Sequence, residues 1–134
     1  MNLLAALRRA WEMRRRPAHH PLTPVHRAAD EAAEIFFLYT DPERTEYQTA
    51  TADLRRDYYH GPNYATVTAG GIRATVTLEN VYRHGSIDPD TDFRPADEVE
   101  ICYTAGGPVF RMTSPALARR IYAAALAILA RPQL

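Results

Sequence analysis

The sequence predicts an α+β domain, a four-stranded antiparallel sheet with N-terminal helices and a C-terminal helix packed on one face. Three observations carry this. Two alternating apolar and polar stretches each fold about a Gly-Gly pair, at Gly70-Gly71 and Gly106-Gly107. Amphipathic patterns with proline at the helix start flank them, at Pro24 and Pro115. The 134 residues fit one domain with a real core and leave no room for a second.

In chain order, residues 2 to 15 read as a helix with Leu3, Leu4, Leu7 and Trp11 on one side and arginines on the other; Pro17 stops it. Thr23 caps a second helix over residues 24 to 39, which Asp41-Pro42 ends. Residues 43 to 58 are ambiguous, and a short helix is the favoured reading although their threonines and tyrosines suit a strand. In the first hairpin a two-residue turn pairs Ala69 with Ile72, Val67 with Ala74 and Ala65 with Val76, one apolar face that Leu78 and Tyr82 continue. Tyr64, Thr66, Thr68, Arg73, Thr75, Thr77 and Arg83 fall on the other face. The same reading of the second hairpin pairs Tyr103 with Phe110 and Ile101 with Met112, which sets Cys102 beside Arg111. Ser114 caps the last helix, which runs to about residue 130. Its apolar surface is wider than one stripe and calls for burial between two layers or a second subunit, so a homodimer through this helix is expected.

The neutral total charge conceals segregation. Residues 1 to 27 carry six arginines against Glu12, and residues 30 to 57 carry eight acids against three arginines. All sixteen basic residues are arginine, the mark of a GC-rich coding sequence, so their number says less about function than it would otherwise. Neutrality argues against a polyanion mimic and against a wholly basic nucleic-acid binder. One cysteine, Cys102, precludes an internal disulfide, and the N-terminus lacks the order of a secretory signal. No stretch reaches the roughly 20 apolar residues of a membrane span. A cytoplasmic location is the expectation.

Residues 83 to 100 form a long acidic connection between the hairpins. Asp88, Asp90 and Asp92 match the first three ligands of a calcium loop, but Phe93 stands where its glycine is needed and Val99 where its bidentate glutamate is needed. No metal or cofactor is expected. Long connections are often binding loops, so Asp88, Asp90, Asp92, Phe93 and Arg94 become candidate contacts for a protein partner. Phe93 and Ile87 either anchor that loop or meet the partner.

Two other chemistries compete. Arg8, Arg9, Arg14, Arg15 and Arg16, or Tyr64, Arg73, Arg83 and Arg111 on the sheet, would suit nucleic acid by phosphate contact and base stacking. An enzyme would draw on His60, His84 or Cys102. His60 and His84 belong to an echo, Tyr58-Tyr59-His60-Gly61 and Tyr82-Arg83-His84-Gly85, and the inferred pairing sends them to opposite faces. His19, His20 and His26 show no ligand spacing. The function expected is therefore a small non-enzymatic binding or regulatory protein, an accessory or inhibitor protein of a phage or mobile element in a high-GC bacterium.

Overall fold

The computed structural model describes residues 24–132. The helix expected over residues 2 to 15, its four arginines and Arg16, His19, His20, the Thr23 cap and the side chain of His26 lie outside the described residues. Helix α1 is Pro24–Tyr39, a 3-10 turn covers Thr45–Thr49, and strands β1 (Thr51–Arg55), β2 (Tyr64–Ala69) and β3 (Ile72–Asn80) follow. A single helical turn, α2 (Pro89–Asp92), leads into β4 (Phe93–Tyr103), β5 (Val109–Thr113) and helix α3 (Pro115–Leu129). The strands form one antiparallel meander in the order β1-β2-β3-β4-β5.

Five strands stand where four were expected, because the ambiguous segment 43 to 58 divides. Its first part makes the 3-10 turn, where Tyr47 is buried and its carbonyl accepts from the Ala50 amide at 3.1 Å. Its second part alternates with period two, so that Ala52 and Leu54 meet Val67 and Ala65 of β2 while Thr51, Asp53 and Arg55 face the other way. Pairing with a strand lets the segment hide its apolar residues while its polar ones stay wet; an isolated short helix would do neither well.

The β2–β3 hairpin has the expected register, Ala65 with Val76 through Ala69 with Ile72. Gly70 (φ 60°) and Gly71 (φ 76°) supply the two left-handed residues of its turn. The β4–β5 hairpin differs. Ile101 pairs with Phe110, Glu100 with Arg111 and Cys102 with Val109, two positions from expectation. Residues 104 to 108 make a wider loop, whose Thr104 amide donates to the Gly71 carbonyl of the neighbouring turn at 2.9 Å. Pro108 has no N–H for a ladder, so a tight turn there would waste a pair. The even shift keeps Ile101 and Phe110 on the core face.

The apolar sheet face is covered by α1 and α3, and the small side chains of Ala65, Ala69 and Ala74 leave room for Phe36, Leu117 and Ile121. The Arg120 guanidinium of α3 sits 3.8 Å from the Phe37 ring of α1 and ties the two helices together, and burial pulls its pKa down. Ser114 Oγ accepts from the Leu117 amide at 3.2 Å and starts α3 as expected. The broad apolar surface of α3 is used inside the protein, with Leu117, Ala118, Ile121, Tyr122, Ala125 and Ile128 all buried. Of its apolar residues Leu129 is half exposed. No described helix is long and apolar enough to cross a membrane.

Candidate functional site

An antiparallel meander returns its connections alternately to its two ends, so the β1–β2 loop (residues 56 to 63) and the β3–β4 loop (residues 81 to 92) emerge side by side. The second is shorter than the acidic connection expected over 83 to 100, because β4 already begins at Phe93. A bulge accommodates the early start: Val76 pairs with Val99 and Leu78 with Pro95, leaving residues 96 to 98 opposite Thr77.

The first loop is held by Asp57 and Asn63. Asp57 Oδ1 accepts from the amides of Tyr59 (2.9 Å) and His60 (3.0 Å), and these bonds hold its carboxyl below the usual range. The half-turn closes when Asn63 Oδ1 accepts from the Asp57 amide at 2.6 Å and Asn63 Nδ2 donates to the Asp57 carbonyl at 3.2 Å. Arg55 reaches over it to donate to the Pro62 carbonyl at 3.0 Å.

The second loop closes on itself. Asp88 caps α2, its Oδ1 accepting from the Asp90 amide at 3.1 Å, while Asp92 Oδ2 reaches back to accept from the Asp88 amide at 2.9 Å. Its carboxylates thus replace the backbone partners that so short a helix lacks.

Side chains then join the loops. Tyr58 lies edge-on to both Tyr82 (centroids 5.5 Å apart) and Phe93 (5.0 Å), and its hydroxyl donates to Asp92 Oδ2 at 2.8 Å. Burial and that bond push the phenol up to about 12. Arg56 bridges to Asp90 at 2.9 Å and donates to the Tyr122 hydroxyl of α3 at 3.2 Å. Asn80 Nδ2 donates to the Tyr58 carbonyl at 3.0 Å. What the joined end presents to solvent is Tyr59, 88% exposed, and Ile87, 64% exposed, with His60, Arg83 and His84 around them.

The five expected partner contacts therefore divide. Asp88 and Asp90 lie at the surface, each already engaged as described. Asp92 and Phe93 are buried and act as anchors, which corrects their assignment as contacts: of the two roles open to Phe93, the structure gives it the inward one. Arg94 points to the open sheet face and pairs with Glu79 at 3.0 Å.

On that open face Tyr64 reaches Asp53 (3.4 Å), Arg111 pairs with Glu100 (3.4 Å), and Thr66 and Thr75 share a bond at 3.1 Å. Arg73 stands between Thr68 and Cys102, whereas Arg83, expected on this face, lies in the β3–β4 loop beyond the end of β3. Tyr82, expected to continue the core face, is in the same loop. With acids interleaved among its arginines, the face offers no continuous positive track for phosphates.

His60 and His84 lie in the two loops that share one end of the sheet. His60 lies 3.8 Å from Asp57, and His84 lies against Tyr82 with ring centres 6.4 Å apart. Cys102 is far along β4, between Arg73 and Val109 and not beside Arg111. Among the described residues no three His, Cys, Asp or Glu side chains are grouped to hold a metal ion. Sequence reasoning passed over Tyr59, Arg56 and Asn63; the repeated Tyr-x-His-Gly was the available signal, since its two first tyrosines, Tyr58 and Tyr82, are the ones that touch.

Comparison with protein families, curated proteins and solved structures gives no match to this chain.

Proposed function

We propose that the protein is a non-enzymatic binding module that contacts a protein partner through the joined loop end, in the manner of a regulatory or accessory protein. The observation that carries the reading is the exposure of Tyr59 and Ile87 on backbone locked by Asp57, Asn63 and the Asp88–Asp92 turn. Large apolar side chains held out on a preformed backbone lose little further entropy on binding, and tyrosine is among the residues that dominate interface energies. The acids Asp88 and Asp90 stand beside them as a polar rim. A phage or mobile-element setting rests on size and composition alone. Dimerisation through α3 has a narrower basis than its apolar breadth suggested, because Tyr122 is buried in the protein's own core while Leu129 stays half exposed.

Affinity capture with the tagged protein from a lysate of the encoding organism tests this, with and without nuclease, using the wild type and the Tyr59→Ala/Ile87→Ala variant. Support is a stoichiometric protein that survives nuclease and is lost from the double variant. Equal retention by both would end the role of the loop end, and nucleic acid that disappears on digestion would move the function to the arginines.

A further inference from the structure

A second surface lies at the other end of β1. Strand β1 has one neighbour, β2, and among the described residues no strand pairs with its outer edge. A cleft of about 410 Å³ opens there, with Ala52, Ile128, Leu129 and Pro132 as its apolar wall and Gln48, Thr51 and Arg131 as its polar groups. Its lining takes in Gln48 of the 3-10 turn, Thr51 and Ala52, the first two residues of β1, and the end of α3, so it lies at the start of the strand whose outer edge no described strand pairs with. Leu129 is half exposed beside it.

Arg131 is the sole formal charge among these lining residues. Its guanidinium donates to the Tyr47 carbonyl at 2.8 Å and lies 5.3 Å from the Tyr47 ring. One bond fixes the group's position while a guanidinium has five N–H donors in all, so Arg131 retains the capacity to take a carboxylate. The geometry points to a site for an extended peptide segment that adds to the edge of β1, places an aliphatic side chain against Leu129 and Ile128, and sets a free C-terminal carboxylate on Arg131. An edge that no described strand pairs with supplies main-chain bonds, a pocket at its side selects alternate side chains, and Arg131, the one charge among the described lining residues, selects the chain end. A compact anion would use Arg131 but leave both the edge and the apolar wall idle. The site stands independently of the loop-end reading, since Thr51 begins β1 and the loop of residues 56 to 63 follows its last residue.

The test screens the full chain against arrays of random hexapeptides, one with free C-termini and one amidated, and titrates the best peptide by fluorescence anisotropy. Expected are peptides with an aliphatic residue near a free C-terminus, at least about tenfold weaker when amidated, as loss of a charge-assisted bond implies. The best peptide should shift the backbone amide resonances of Thr51–Arg55. Because Arg131→Gln also removes the brace on Tyr47, Leu129→Asp on the exposed rim is the second variant, and both should weaken binding about tenfold or more. Tyr59→Ala/Ile87→Ala should leave this affinity unchanged, which separates the two surfaces. The proposal is overturned if no peptide is selected, if amidated peptides bind equally, if the shifts map elsewhere, or if the β1 resonances move with protein concentration alone, which would make a second copy the occupant.

Discussion

The Tyr58 hydroxyl donates to Asp92 Oδ2 at 2.8 Å and joins two loops 34 residues apart in the chain. That bond exists only while the phenol keeps its proton, and the folded state holds the phenol at about 12 against an ordinary 10.0. A raised folded pKa on an acid means the native state binds the proton more tightly. The contribution is therefore complete below about pH 10 and is lost as pH rises towards about 12. Urea midpoints measured across that range should fall more steeply for the wild type than for Tyr58→Phe; parallel curves would show that the hydroxyl is not coupled to folding.

Phe93 and Ile87 come from the same connection and have opposite fates, one 1% and the other 64% exposed. Phe93→Ala should cost about 3–5 kcal/mol, the range for truncating a buried phenylalanine. Ile87→Ala should change stability by less than about 0.5 kcal/mol, as an exposed position does. Chemical denaturation of the two variants side by side checks the contrast.

The two turn glycines should also separate. Both have positive φ, so alanine at either is strained by about 1–2 kcal/mol. At Gly71 an added Cβ meets nothing, whereas at Gly70 it would fall 2.5 Å from Cδ2 of Tyr39. Gly70→Ala should be the more destabilising, and a double-mutant cycle with Tyr39→Ala should return a clear coupling. Additive effects would place the extra cost elsewhere.

Ser114 is 4% exposed, and its hydroxyl caps the helix that covers four of the five strands. Ser114→Ala should destabilise by about 1 kcal/mol, and Ser114→Asp, which keeps an acceptor at that position, should recover part of it. Thermal unfolding of the three proteins is the check.

The first hairpin was legible residue by residue, because Gly70-Gly71 fixes a two-residue turn and a one-residue slip would have turned Val67 and Val76 into solvent. The second was legible only in its faces. Gly106-Gly107 marked a turn, but how many residues it spans depends on Thr104 reaching Gly71, a contact between turns 33 residues apart. Strand β1 was hidden for a related reason. Five residues with two modest apolar side chains carry little signal until β2 lies beside them.

For the loop end, the sequence supplied the chemistry and left the direction open. Composition announced acids, tyrosines and histidines around two Tyr-x-His-Gly repeats, and turn rules announced loops. Whether a carboxylate faces water or a phenol is settled by which loops share an end of the sheet, and the meander order decides that. The sequence by itself determined the helices that begin at Pro24 and Pro115, the Ser114 cap of the second, the alternation that divides the sheet into two faces, and the tight first turn, all of which are short-range consequences of backbone sterics and side-chain period. Only the tertiary structure decided that Asp92 and Phe93 turn inward while Tyr59 and Ile87 stay out, and that Arg131 shares a cleft with the start of β1, because burial and pairing depend on which distant segments become neighbours.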